Sequence, residues 1–492
     1  LNMSRFIFPS YLALLFCLPL PLAGVIPWGW AFFAGLSCGL LLAQFYLNSQ
    51  ASVRSGGARS SGVRSSSASS RDFMGIPAFS YPVLLPLCFV AVFIGLQWNI
   101  GRISAYVISM YSFQSTHIGI PILGSTPLDP TTDLNGSALL SYISSMDRHD
   151  LYLSFLQTVG LCSFFALTLM LLNSRSRITA AIWAVILAGG FQAVYGSLMV
   201  MSGLELGFFS KKISYLGKAT GTFVNRNHLA GYLEMALALG IGFLLASSTR
   251  YYGDWQQRLR QFIEMLLSPK VIMRLTLAIM VIGLVMTRSR MGNSAFFASL
   301  MIAGGLALLL MKNKSRSTTI LLSSLLIIDI AIVGMFFGVE KVAERLQGSS
   351  IEKESRDEVS RDTFNMWLDN PILGTGAGSY KYAYPGYKSD DVKATALYDH
   401  AHNDYAQFLA EFGIIAFLAL AAAVSIALFW SIQAMRMRRN SLQQGLGFSA
   451  CMGIIAILIH SSVDFNLQIP ANAFMFVFLL AIACIARWSK LR

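Results

Sequence analysis

The chain has 492 residues, 55% of them hydrophobic and only 12% charged, roughly half the charged share of a soluble domain. That composition excludes an ordinary soluble enzyme, because no water-exposed fold hides so much apolar surface. The net charge of +13 raises nucleic acid as a partner until the charges are mapped onto the chain.

The apolar residues fall into twelve runs of roughly helical bilayer-crossing length. They lie near 6–26, 29–48, 77–99, 151–172, 179–201, 228–247, 271–287, 292–311, 318–338, 408–430, 443–463 and 472–486. The first is too long and too closely followed by a second to be a cleaved leader, so it is expected to be a permanent helix. With the N-terminus inside, the inner segments hold 21 Lys and Arg against three acids, Asp72, Asp254 and Glu264. The outer segments hold 16 against 19. The whole surplus is therefore cytoplasmic, as the positive-inside rule requires, and nucleic acid drops out as a partner. All six cysteines sit inside apolar runs, so no disulfide framework is expected. The expected fold is an all-α polytopic membrane protein of about 12 transmembrane helices.

Between the runs, residues 49–72 form a Ser/Gly/Arg-rich cytoplasmic linker. Residues 100–150 are expected to form a first outer loop. The long polar stretch 339–407 is expected to be an outer, periplasmic cap. Its first half places Val359, Phe364, Trp367 and Leu368 at helical spacing among alternating charges, which predicts amphipathic helix near the membrane surface. Its second half, PILGTGAGSYKYAYPGY, is dense in turn residues.

Four polar clusters gather on the outer side, where membrane-edge polar residues are costly unless they serve a purpose. In KATGTFVNRNHLAGYLEM, Lys218 and Arg226 are cations and Asn225 and Asn227 neutral donors. Gly217 and Gly221 let the chain turn, and Asn227 is placed to cap the following helix. A helix start facing outward favours an anion, so the cluster reads as a phosphate seat or as capping with snorkelled cations. In TRSRMG, Arg288 and Arg290 crowd one short outer turn, and their forks match phosphate oxygens. In DHAHNDYAQFLAEFG, His400 and His402 precede a helix with Asn403 and Asp404. An imidazole there can take a proton from a hydroxyl, and no third ligand follows at zinc spacing, so no metal is expected. In HSSVDFNLQIPANAF, Asp464 is an acid at the membrane edge, suited to a supporting role. Glu234 and Asp329 lie deeper and receive no role. His117 and His149 read as interfacial histidines.

Together these segments resemble the O-antigen ligase and O-antigen polymerase superfamily, bacterial membrane glycosyltransferases of the GT-C type. GTFVNRNHLAGY, SRMG, NPILGTGAGSY and HAHNDYAQFLAEFG stand in that family's order, over a resemblance running from about residue 180 to the C-terminus. A ligase signature of His-Asn, nine residues and Gly-x-x-Gly is met by His402, Asn403 and Gly413, with Ala416 in place of the last Gly. Lys218 stands where an Arg is common. The closing HSSVDFNLQIPANA is similar to members associated with exopolysaccharide chains, so ligase and polymerase both stay open.

The resemblance implies residues 1–179 as N-terminal helices with the 49–72 linker, and residues 180–492 as the family-like membrane domain including the 339–407 loop. It implies transfer of a glycan from undecaprenyl diphosphate to a hydroxyl of a glycan or lipid A-core acceptor, at the periplasmic face of the bacterial inner membrane. Arg290 and His402 would be catalytic; Arg288, Arg226, Lys218, Asn225 and Asn227 would hold the diphosphate. His400, Asn403, Asp464 and Arg361 are kept for the acceptor or for supporting contacts. No cofactor is expected. A flippase for the same glycan lipid and a protein O-oligosaccharyltransferase are the competing readings; a flippase predicts charges spread through the bundle and internal repeats, and neither is present.

Overall fold

The computed structural model describes residues 4–57, 74–118, 148–208, 211–247, 269–311, 319, 323, 351–392 and 398–490. Thirteen α-helices are used below: α1 Ser4–Cys17, α2 Pro27–Gly57, α3 Tyr81–Ile118, α4 Arg148–Leu171, α5 Arg175–Met201, α6 Arg226–Ala246, α7 Pro269–Met286, α8 Arg290–Leu310, α9 Ile351–Asp369, α10 Tyr380–Ala383, α11 Asp404–Met437, α12 Ser441–His460 and α13 Pro470–Trp488. No strand occurs among the described residues; Leu206 and Lys211 form one isolated bridge. The protein is an all-α polytopic membrane protein. Among the described residues nine helices are long and apolar enough to cross a bilayer, and Arg5–Cys17 and Val271–Met286 are shorter apolar helices. The run expected at 318–338, Asp329 with it, lies almost wholly outside the described residues, as do linker residues 58–72.

Two sequence expectations change. The first run does not continue as helix to residue 26: α1 ends at Cys17, and Leu22 and Ala23 take positive φ values of 49° and 58°. Pro19 and Pro21 explain this, since neither has an amide to continue the ladder. The segment expected as loop from residue 100 is helical up to Ile118. No proline interrupts it after Pro86.

The chain divides into two compact units, residues 1–85, 160–350 and 422–492 in the first, and 86–159 and 351–421 in the second. In the first unit α6 is the central helix, with every residue from Asn227 to Gly242 buried. It meets α12 at Gly242 and Gly445, where a Cβ on either glycine would strike the other's backbone. Ser449 Oγ donates to Leu239 O across the same contact at 3.3 Å. Without a hydrophobic drive between helices in lipid, such small-residue contacts and interhelical hydrogen bonds hold a bundle together.

In the second unit, Val90, Phe93 and Ile94 of α3 pack with Leu151 of α4, Ala377, and Phe412 and Ala416 of α11. A second cluster joins Val359 and Met366 of α9 to Tyr380, Tyr384, Val392, Ala401 and Ala410. The α9 helix is amphipathic as its spacing predicts, but Phe364 and Leu368 face outward while Val359 and Met366 are buried. Burial pushes the Tyr380 phenol well above its ordinary range against the opposing pull of its hydrogen bond with Thr363, so it packs as a neutral group.

Gly413 organises this unit. Its φ of 67° and ψ of 178° break α11 after two turns. The break leaves the Ala410 and Glu411 carbonyls without helical partners, and the amides of Thr375 and Gly376 fill them at 2.8 Å each. Ile414 N turns to Pro371 O at 2.8 Å. The NPILGTGAGSY segment is thereby laced to the start of α11. Only glycine adopts this backbone without strain.

Candidate active site

The expected site residues divide between the two units. In the first, α5 leads through the turn 217–225 into α6. Gly217 and Gly221 take the positive φ values expected of them, 69° and 56°. Gln192, buried in α5, accepts from Thr222 N at 2.8 Å and holds the turn against the bundle. The cap of α6 is Asn225, whose Oδ1 accepts from Asn227 N at 2.9 Å. Asn227 was the expected cap; it lies inside the first turn, and its Nδ2 donates to Asp464 Oδ2 at 2.5 Å.

The α7–α8 turn is as tight as its sequence implies: α7 ends at Met286 and α8 starts at Arg290. Ser289 caps α8 by accepting from Gly292 N at 3.2 Å, and Thr287 Oγ1 accepts from Ser289 N at 3.1 Å. Arg288 takes a left-handed φ of 51°, and its carbonyl accepts from Arg226 Nη1 at 3.2 Å. The two capped helix starts therefore lie together, α6 with Arg226 and α8 with Arg288 and Arg290. Arg288 and Arg290 are exposed, and Lys218 is half-buried. Helix N-termini and guanidinium groups both favour a negative ligand, so the cluster suits a diphosphate.

Beneath it lies a buried polar layer that sequence reasoning only partly foresaw. Glu234 Oε1 and His460 Nδ1 are 2.9 Å apart, both wholly buried. His228 Nε2 lies 3.6 Å from Asp464 Oδ1, and Asn472 Nδ2 donates to His228 O at 3.0 Å. Gly292, in the first turn of α8, leaves no room for a Cβ between Ala230 and Glu234. The layer thus props the helix starts that carry the arginines. Glu234 carried a signal, an acid in an apolar run sharing a helix face with Asn227; His460 stood in an outer polar cluster, but its pairing with Glu234, 226 positions away, carried none.

In the second unit, Asn403 caps α11, its Oδ1 accepting from Tyr405 N at 3.1 Å and Ala406 N at 3.2 Å. His402 therefore precedes the helix, as its sequence position implies, and takes a left-handed φ of 52°. Asn403 Oδ1 is thus spent on capping the helix. The Tyr398 ring stands edge-on to His402 at 6.5 Å. His400 Nδ1 lies 3.1 Å from Gln407 Nε2, while Gln407 Oε1 accepts from Ala401 N at 3.1 Å. Arg361 Nη2 donates to Ser389 Oγ at 2.9 Å and lies 3.3 Å from Asp362 and 3.5 Å from Asp391. These contacts fasten residues 389–391 to α9.

Residues 275–421 match a family model described as O-antigen ligase. That segment of the chain is similar to the O-antigen ligase family. No curated protein matches the chain. The O-antigen ligase match takes in Arg288, Arg290, Arg361, His400, His402 and Asn403, and leaves Lys218, Asn225, Arg226, Asn227 and Asp464 outside it. The match supports a function of the O-antigen ligase or polymerase type in general.

Proposed function

We propose that the protein is a bacterial inner-membrane glycosyltransferase acting at the periplasmic face, with a polyprenyl diphosphate-linked oligosaccharide or polysaccharide as donor. Arg290, Arg288, Arg226 and Lys218, with Asn225 beside them, hold the diphosphate and stabilise the charge that develops on it. His402 takes the proton of the acceptor hydroxyl. The hydroxyl oxygen bonds to the anomeric carbon as the carbon–oxygen bond to the diphosphate breaks, and the electron pair leaves with the diphosphate. Direct displacement inverts that centre, with the arginines in the role a metal would fill. His400 contacts the acceptor or orients the turn that carries His402. Ligase and polymerase differ in the acceptor, a lipid A-core hydroxyl or a growing glycan.

The observation that carries this reading is the O-antigen ligase match itself, which spans both the arginine turn and the His402 segment. The test is transfer by the purified full-length protein in vesicles, with an undecaprenyl diphosphate oligosaccharide and either acceptor. Release of polyprenyl diphosphate with an inverted product linkage, unaffected by chelator, is expected. No release with either acceptor would overturn the proposal, and a retained linkage or chelator sensitivity would overturn its mechanism.

A further inference from the structure

The segment joining α5 to α6 lies in the first unit, and it is not a water-facing loop in its chemistry. On α5, Leu187, Phe191, Val194, Leu198 and Met201 recur every three or four residues and are all exposed. Such a stripe on a bilayer-crossing helix faces lipid. The following arm folds back along it. Glu205 N donates to Met199 O at 3.3 Å, and Tyr195 Oη donates to Leu206 O at 3.3 Å. The Phe208 ring stands edge-on to Tyr195 at 6.0 Å and to Phe191 at 6.4 Å. Phe191 is ten residues before the end of α5, about 15 Å along its axis.

The polar groups of the two arms are matched to one another. Lys212 Nζ lies 2.6 Å from Glu205 Oε2 and donates to Lys218 O at 2.9 Å, while Glu205 Oε1 accepts from Gly217 N at 2.7 Å. Lys212 N donates to Glu205 O at 2.9 Å. Beside exposed Ser202 and Ser214, the large side chains that face outward are mostly apolar: Leu204, Leu206, Leu216 and Ile213, the last 97% exposed. Exposed Lys211 flanks them, as a cation flanks interfacial segments that meet anionic headgroups.

We propose that residues 202–208 and 211–217 are an interfacial anchor that seats its apolar side chains among the phospholipid acyl chains of one leaflet. Continuity with the lipid-facing stripe of α5 and the internal pairing of its charges identify bilayer lipid as the occupant. Through Lys212 on Lys218, and Arg226 5.8 Å over the Tyr215 ring, the anchor ties the cationic cluster to the depth of the lipid headgroups. That consequence rests on the proposed function; the insertion does not.

The test uses full-length Ile213→Cys protein carrying a polarity-sensitive fluorophore, in phosphatidylethanolamine–phosphatidylglycerol vesicles without donor. Wild-type protein taken through the same labelling gives the background from native cysteines. The side chain is exposed, so the substitution leaves the fold intact. The expected result is blue-shifted emission, quenched more by bromine near the headgroup end of the acyl chains than near the methyl end, since interfacial segments sit about 5–10 Å into that boundary. Unquenched emission would overturn the anchor, and quenching that requires added donor lipid would assign the surface to the donor's own chain instead. Quenching is read without glycan transfer, so its failure and the failure of the transferase reading are separate results.

Discussion

Arg288 and Arg290 are two residues apart, yet the backbone treats them differently. Arg288 sits in the turn with a left-handed φ and offers its carbonyl to Arg226, whereas Arg290 opens α8. On the proposed function, Arg290 is therefore the cation that the helix start offers to the diphosphate. Arg290→Ala is expected to lose about 100-fold or more in turnover, the usual cost of removing one anion-stabilising donor. Arg290→Lys is expected to recover little, because a point charge does not fork across two phosphate oxygens. Turnover in vesicles with purified donor checks both; full activity of Arg290→Ala removes it from the mechanism. His400 and His402 separate in the same way. His400 is engaged by Gln407, and His402 stands at the bend before the helix cap. His402→Ala is expected to lose about 100-fold in turnover with donor binding kept, and His400→Ala clearly less. His402→Asn tolerates the left-handed backbone and should lose as much, which separates lost chemistry from lost geometry. A general base works only when neutral, so wild-type turnover should fall as pH drops through the imidazole range. A flat profile across that range, or near-normal turnover of His402→Ala, sinks the general-base role.

At the scale of elements, two glycines decide how helices meet. Gly413 lets α11 break and take up the amides of Thr375 and Gly376. Gly413→Ala forces a Cβ into the Ile372 carbonyl at a positive φ and should destabilise the unit by about 1–3 kcal/mol. Faster hydrogen exchange at Thr375 and Gly376 would report it, and unchanged protection there would show that the lacing does not depend on the break. Gly242→Leu pushes α6 off α12 in the other unit, and overpacking of this kind costs about 1–3 kcal/mol, readable as a lower unfolding temperature in detergent. The arms between α5 and α6 respond to pH instead. The hydrogen bond from Lys212 holds the Glu205 carboxyl below its ordinary range. A depressed carboxyl contributes stability above its unfolded value, about 4.3, and loses it as pH falls through the folded value. Proteolysis within 202–217 should therefore accelerate on acidification, and Glu205→Gln should abolish that acceleration.

For the whole molecule, orientation is the property that charge alone predicts. α12 is flanked by Arg439 on the basic side and by Ser462 beyond His460, both exposed and separated by a largely buried 20-residue helix. In intact cells a membrane-impermeant thiol reagent is expected to reach Ser462→Cys and to reach Arg439→Cys only after permeabilisation. Equal labelling of both would refute the orientation. Hydrophobic run length and charge bias are local properties of a chain in lipid, and they were enough to predict the all-helical class and the nine helices that, among the described residues, are long and apolar enough to cross a bilayer. The sequence left Glu234 without a role and pointed to Asn227 as the cap, because capping geometry and ion pairing depend on what lies opposite. Tertiary structure decided that Asn225 rather than Asn227 caps α6, since Asp464 from a hairpin 237 positions away takes the Asn227 amide. It also decided that Glu234 meets His460, that Arg226 reaches the Arg288 carbonyl, and that the α5–α6 segment lies back on α5. Periodicity reports which face of a helix is apolar, but a pairing between distant polar groups is set only when packed helices bring them within a few ångströms and exclude the water that would otherwise satisfy them.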